Sequence, residues 1–497
     1  MAGSDGTAEP AAPGIDRARN YVGGWVDPNG ETEPVTNPAT GGEIAQVRYS
    51  TAADVRDVVE TAREAFEGWR ATPPADRAEY LFDLKAELAA RQAEIAEALS
   101  LEHGKTVAEA EGEIERGIEN VEVAAGIPNM LREGSGVVEG VAPGMDESAV
   151  RQPLGVFAAV VPFNFPAMIP LWFLPYAVAT GNTFVLKPSE RVPLSAQLIF
   201  EAVDAAGFPE GVLNLVNGGV GTVDALLTDD DIAGVSFVGS TPVARHVYET
   251  AAAEGKRVQA QGGAKNYAVV TPSAELGEAV PNIVGSVYGN AGQRCLANDV
   301  VVGVGDVYGD LRAELLDAVD DLVVGPGIDD GTDIGPLITA ESKARVVGMI
   351  ADAVEAGAEP VVDGRGFEHP DYPDGNFLGP TLLDGVTTDM EIARTEIFGP
   401  VLCLAAAEDL DEAIGMVNAT EYGNASSLYT ERGAEARKYR YEVDAGNIGI
   451  NVGVCAPMGF FHFGGRKASF FGDLHAQGED AVNFYTDKTI EIERWYS

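Results

Sequence analysis

From residue 52 to about residue 126, apolar side chains recur at helical spacing. Val55, Val58, Val59, Ala62, Ala65 and Phe66 share one face, and Leu81, Leu84 and Leu88 repeat the pattern, which predicts a preface of amphipathic helices. Between residues 154 and 260 the period changes. Short β-rich runs (VFAAVV, TFVLK, LNLV, VSFV, RVQA) alternate with helical stretches set off by Gly, Pro, Ser and Asp, predicting a parallel sheet with helices on both faces. A second alternating series starts at YAVV (residues 267–270) and continues through VVVGV, PTLLD, VLCLAAA and NIGINV. Two α/β domains are therefore expected, meeting near Gly262 and Gly263. The final run, VNFYTDKTIEIERWY, alternates like a strand, and residues 136–151 or a neighbouring subunit are its candidate partners. Residues 156–179 are apolar enough to suggest a membrane span. Pro162, Pro166, Pro170, Pro175 and Asn164 interrupt them, and interior prolines break the hydrogen-bond ladder that a span requires. Strand, loop and short helix are expected instead.

Length and charge narrow the function. The 497 residues are enough for two to four domains with large cores. Asp and Glu total 78 against 33 Lys and Arg, a net charge of -45, so nucleic acid and anionic membranes are poor partners. Because 45% of residues are hydrophobic, this acidity does not imply disorder. Only nine of the cations are Lys, and the carboxylates are spread over the predicted helix faces. That pattern suits a surface adapted to high salt and predicts a halophilic source. Three cysteines, Cys295, Cys403 and Cys455, are too few for a disulfide framework and fit a reducing cytoplasm. The first 14 residues lack the basic and apolar regions of a signal peptide and read as a frayed tail.

Among candidate nucleophiles, Cys295 lies in GNAGQRC beside Arg294, where an adjacent cation is expected to lower the thiol pKa. Cys403 reads as a buried strand residue, inert in its surroundings. Cys455 reads as a loop position at a pocket. His103, His246, His369, His462 and His475 show no metal-ligand spacing, so no metal site is expected. No GxSxG elbow is present, and Gly218 to Gly221 read as a turn. FVGSTPVARHV places Ser240 or Thr241 as the cap of a helix after a strand, with Pro242 in its first turn. It is either an ordinary capped helix or a phosphate site facing free N–H groups. Lys187 and Glu190 follow another strand at the sheet's carboxyl edge, as a solvated loop or as a ribose grip favouring NAD over NADP.

Together, PFNFP (162–166), VLKPSE (185–190), FVGS (237–240), GQRC (292–295), EIFGPV (396–401) and ASFFG (468–472) resemble the aldehyde dehydrogenase superfamily, in family order from about residue 21 to 485. Within it, ERGIENVE, RVQAQGGAKN and SFFGDLHA are similar to the CoA-acylating methylmalonate-semialdehyde dehydrogenases. The resemblance implies an α/β fold of the aldehyde dehydrogenase type. Its parts would be a Rossmann-type NAD domain (residues 1–135 and 152–261, with N-terminal helices), a catalytic domain (262–466) and a small β oligomerisation element (136–151 and 467–497). It also implies that Cys295 is the nucleophile, with Asn164 and the Cys295 N–H holding the oxyanion, and that Phe163, Lys187, Glu190, Arg191, Ser240 and Gly262 line the cofactor site. Glu396 would bind the nicotinamide ribose, a base role remaining open. Gln261 replaces the glutamate that activates water in hydrolytic members, and a neutral amide takes no proton near pH 7. Coenzyme A is therefore the expected co-substrate. The implied reaction converts methylmalonate or malonate semialdehyde to propionyl-CoA or acetyl-CoA with loss of CO2. The alternative is a hydrolytic, NAD-dependent enzyme for another aldehyde. Arg116 and Arg294 form a candidate carboxylate clamp; otherwise Arg294 tunes Cys295 and Arg116 pairs with a helix glutamate. A soluble homo-oligomer, dimer or tetramer, completes the expectation.

Overall fold

Thr51 and Thr106 each open a helix with a reciprocal cap. The Thr51 hydroxyl accepts from the Asp54 N–H at 3.2 Å while Asp54 accepts from the Thr51 N–H at 2.7 Å, and Thr106 and Glu109 repeat the arrangement at 3.2 and 3.1 Å. In the computed structural model, which describes residues 14–132 and 136–496, these caps start α1 (Ala52–Ala71) and α4 (Val107–Ala125). Between them lie α2 (Pro74–Ala90) and α3 (Gln92–His103). The apolar faces read from the sequence are the buried ones: Val55, Val58, Val59 and Ala62 in α1, and Leu81, Leu84 and Leu88 in α2. Nearly all of the segment read as a frayed tail lies outside the described residues.

Among the described residues the first sheet has eight strands, in the order Phe470–Gly472, Arg257–Gln261, Ile232–Val238, Val156–Val160, Thr183–Lys187, Leu213–Leu215, Asn20–Val22 and Trp25–Val26. Its five middle strands are parallel. Alternate residues of Val156–Val160 enter different cores: Phe157 and Ala159 pack with α2 to α4, and Val156, Ala158 and Val160 with α1. Helices cover both faces, so the strands read as continuous apolar runs. The chain switches to a second sheet between Gln261 and Tyr267. There Tyr267–Val270 pairs in parallel with Val300–Val304 and Ala425–Tyr429, and the sheet extends to seven strands.

Residues 156–179 form a strand, a loop, a short 3-10 turn and the helix Leu174–Ala179, and among the described residues no helix is long and apolar enough to cross a membrane. Strand Thr486–Arg494 pairs antiparallel with Met145–Pro153 over nine residues, the partner segment the sequence pointed to. Two features differ from the sequence reading. Residues 482–485, read as part of that strand, close the helix Gly478–Tyr485, whose buried Ala481, Val482, Phe484 and Tyr485 fit a helical face as well as an alternating one. Phe470–Gly472, grouped by sequence with the terminal strands, instead extends the first sheet beside Arg257–Gln261.

Candidate active site

Cys295 is delivered by a left-handed turn. Asn290 and Ala291 have φ of 54° and 52° and Gly292 of 72°; a Cβ on Gly292 would fall 2.0 Å from the Gly399 carbonyl oxygen, so only glycine lets this turn lie against the EIFGPV segment. On that segment Phe398 is itself left-handed, φ 53°, a conformation that a bulky residue keeps only when its surroundings impose it. The Cys295 carbonyl then accepts from the amides of Asn266 at 2.9 Å and Asn424 at 2.7 Å, which ties the cysteine to the second sheet.

Two cavities meet at this residue. The larger, about 470 Å³, is walled by Phe163, Asn164, Gly239, Ser240, Thr241, Gly262, Gly263, Cys295, Glu396 and Phe398 among others. Its components come from the carboxyl ends of three parallel strands of the first sheet, where open α/β sheets bind ligands, and from the second domain. The smaller, about 310 Å³ and mostly apolar, is walled by Glu109, Gly112, Arg116, Phe165, Met168, Trp172, Arg294 and Cys295 among others. Six of the residues singled out from sequence thus share the larger cavity: Phe163, Asn164, Ser240, Gly262, Cys295 and Glu396. Arg116 and Arg294 share the smaller one. Lys187, Glu190 and Arg191 are not among the walls of either; Lys187 ends its strand buried and pairs with Glu190 at 3.1 Å.

The crossover between the sheets is stitched at the cavity. The Gly263 N–H donates to the Thr241 hydroxyl at 2.8 Å, and the Ala264 N–H donates to Glu396 Oε1 at 3.0 Å. A Cβ at Gly262 would meet Thr241 Oγ1 and the Ala468 carbonyl, both at 2.9 Å. Ser240 holds the cap position of helix Thr241–Ala253, but its side chain makes no cap hydrogen bond. This corrects the reading of a self-capped helix. With Thr241 Oγ1 engaged by Gly263, first-turn N–H groups remain uncovered at a cavity wall, as a pyrophosphate site requires.

The electrostatics also differ from the sequence expectation. Arg294 does not activate its neighbour. Its guanidinium pairs with Glu109 at 2.9 Å and donates to the Gly285 carbonyl at 3.0 Å, so its charge is spent on a carboxylate that already serves the α4 cap. Burial pushes the Cys295 thiol up to about 12, and the negative charge of Glu396 adds to the rise. Burial likewise raises the Glu396 carboxyl to about 7, against the lowering effect of the Ala264 N–H. Asn164 is 4% exposed, and its amide donates to the Gln293 carbonyl at 2.9 Å, leaving a second N–H. Arg116 donates to the Pro457 carbonyl at 2.7 Å and pairs with Glu119 at 2.7 Å, as the helix-glutamate alternative foresaw, while still walling the smaller cavity. Gln261 turns its amide to the Phe463 carbonyl at 3.4 Å. Cys403 is fully buried. Cys455 packs against the core while its neighbours Val454 and Ala456 face the smaller cavity.

Sequence reading missed Trp172, Arg345 and the pair Lys105–Glu113. Arg345 donates to the Ile397 carbonyl at 2.6 Å and braces the Glu396 segment. Lys105 and Glu113 are buried together beneath Asn164; nothing in the polar stretch around Lys105, between the two helices, marks it from sequence as a buried residue.

A model of the aldehyde dehydrogenase family matches residues 25–490. The malonate-semialdehyde dehydrogenase of Halalkalibacterium halodurans is 47% identical over 97% of this chain and 99% of its own length. That of Pseudomonas aeruginosa is 46% identical over 95% of each chain. A Sinorhizobium meliloti protein described as a methylmalonate-semialdehyde dehydrogenase and crystallised with NAD superimposes with a TM-score of 0.95 at 43% identity, over 97% of this chain and 99% of its own.

Proposed function

As the chain belongs to the aldehyde dehydrogenase family, we propose that it oxidises malonate or methylmalonate semialdehyde with NAD and transfers the acyl group to coenzyme A. The observation that carries this reading is the place of Cys295 as the wall common to two cavities, one suited to a dinucleotide and one holding two arginines. The larger cavity fits NAD: Phe163 and Phe398 offer apolar surface, Gly262 leaves room, and the uncovered N-terminus of helix Thr241–Ala253 suits a pyrophosphate. Ser240, Gly262 and Phe163 would hold the cofactor, and Glu396 its nicotinamide ribose. Lys187, Glu190 and Arg191, at the end of the neighbouring strand, would reach its far ribose.

The Cys295 sulfur attacks the aldehyde carbonyl as the thiolate. The free Asn164 N–H and the Cys295 N–H receive the developing oxyanion, each worth about 3 to 4 kcal/mol in the transition state. Bound NAD would supply the hydride acceptor, and loss of hydride from the former aldehyde carbon would leave an acyl thioester on Cys295. Arg116 and Arg294 hold the substrate carboxylate in the smaller cavity, exchanging or sharing the partners they have here. The thiolate of coenzyme A then takes the acyl group and restores the cysteine. A neutral Gln261 supports this route over hydrolysis, and a carboxylate β to the thioester carbonyl leaves readily as CO2. Glu396, raised to about 7 beside the thiol, is the carboxylate best placed to exchange protons there.

The reading extends to assembly and setting. Val137, Val138, Ile490 and Ile492 stay exposed on the sheet that Gly136–Ala142 forms with Met145–Pro153 and Thr486–Arg494, which we assign to contacts within a homo-oligomer, dimer or tetramer, in the cytoplasm of a salt-adapted cell. The test of the activity is NADH formation from malonate semialdehyde with and without coenzyme A, with the product identified. Acetyl-CoA is expected; equal turnover to free acid without coenzyme A would overturn it.

A further inference from the structure

Residues 161–169 carry Asn164 across the active site without a helix or strand of their own. Something else must hold the main chain there. Beneath it, Lys105 and Glu113 form an ion pair, 1% and 3% exposed. The Lys105 ammonium donates to the Asn164 carbonyl at 2.7 Å and lies 4.4 Å from the centre of the Phe165 ring. Glu113 accepts the N–H groups of Ala167 at 2.7 Å and Met168 at 3.0 Å. One charge pair thus grips residues 164, 165, 167 and 168.

Local structure explains how the pair is built. α3 ends at His103, and Gly104 turns the chain with φ 93°. A side chain at Gly104 would strike Pro336 at 2.5 Å. Two residues after Gly104 the Thr106 cap restarts a helix, so Lys105 is swung inward toward Glu113, two turns along α4. A buried ion pair is weak evidence for stability, because well-packed apolar residues commonly do as well. Its contacts here all fall on one loop, and that loop carries the oxyanion donor.

We propose that Lys105, with Glu113, is a positioning residue that holds the Asn164 amide in the orientation that receives the oxyanion. The inference rests on the oxyanion role of Asn164 proposed above, and the test separates the two. The pre-steady-state burst of NADH is measured with a semialdehyde for the parent, Asn164→Ala, Lys105→Met and the combination. Lys105→Met/Glu113→Gln serves as the charge-neutral variant, keeping an acceptor for Ala167 and Met168 if the lone Glu113 charge unfolds the chain. Loss of an oxyanion donor costs about 10² to 10³ in rate. The expected result is that Asn164→Ala and the charge-neutral pair each lower the burst rate constant by about 10²-fold, with KM for the aldehyde within about twofold and with unchanged alkylation of Cys295 by iodoacetamide. Combining them is expected to cost no more than Asn164→Ala alone, because both remove one interaction. Multiplied losses, or a parental burst in the charge-neutral pair, would overturn the positioning role. An Asn164→Ala variant at the parental rate would instead overturn the oxyanion assignment itself, and the inference with it.

Discussion

Replacing Arg116 with leucine tests the carboxylate clamp without touching the reacting atoms. Arg116 projects from α4 into the smaller cavity, and a charge-assisted hydrogen bond to a substrate carboxylate is worth about 1.5–3 kcal/mol. At about 1.4 kcal/mol per factor of ten, kcat/KM for malonate semialdehyde should fall by about 10- to 150-fold. Propanal, which has no carboxylate, should lose less than about twofold. The fold should tolerate the change. The lost bond to the Pro457 carbonyl is worth about 1 kcal/mol, and the surface pair with Glu119 about 0.3 kcal/mol. Arg294→Leu should be worse for the carboxylated substrate, because it also leaves Glu109, now paired at 2.9 Å, as an uncompensated negative charge at the cavity wall. The assay is initial-rate NADH formation with both aldehydes for each variant. If Arg116→Leu slows malonate semialdehyde and propanal equally, the arginine is a structural tie between α4 and residues 457–458 and the clamp is refuted.

Further outcomes follow from the same geometry. Iodoacetamide should modify Cys295 ever faster as pH rises past 10, since the thiol is pushed up to about 12, and Glu396→Gln should move the profile to lower pH by removing a negative neighbour; an unmoved profile would contradict the pairing. The Glu396 carboxyl is raised from 4.5 to about 7, so the folded state binds the extra proton. Stability should fall as pH climbs from about 4.5 to 7, and Glu396→Gln should be more stable at pH 8 by about 3 kcal/mol in denaturant titrations. Gly292→Ala, with its Cβ 2.0 Å from the Gly399 oxygen, should displace Cys295 and cut NADH formation by about 10²-fold or more. Gly112 lines the smaller cavity within α4 with open space around its Cβ position; Gly112→Ala should raise stability by up to about 1 kcal/mol while lowering kcat/KM for methylmalonate relative to malonate semialdehyde.

What the sequence determined by itself was everything written in short-range pattern. The 3.6-residue spacing of Val55, Val58, Val59 and Ala62, the caps at Thr51 and Thr106, and the apolar runs around Val156, Phe184 and Val235 are local properties, and they set the helices, the parallel strands and the switch of sheets after Gln261. The motifs around Asn164, Ser240, Cys295 and Glu396 picked out residues that the fold brings to the wall of one cavity. Tertiary structure alone decided where charge ends up. Arg294 adjoins Cys295 in the chain, yet its field is taken by Glu109, 185 residues away, and burial outweighs it at the sulfur. The same holds for Lys105, whose tie to Asn164 spans 59 residues, and for Phe470, which was grouped by sequence with the terminal strands but pairs in the first sheet. Coulomb energy and desolvation depend on separation in space and on what excludes water, and neither is a function of separation along the chain.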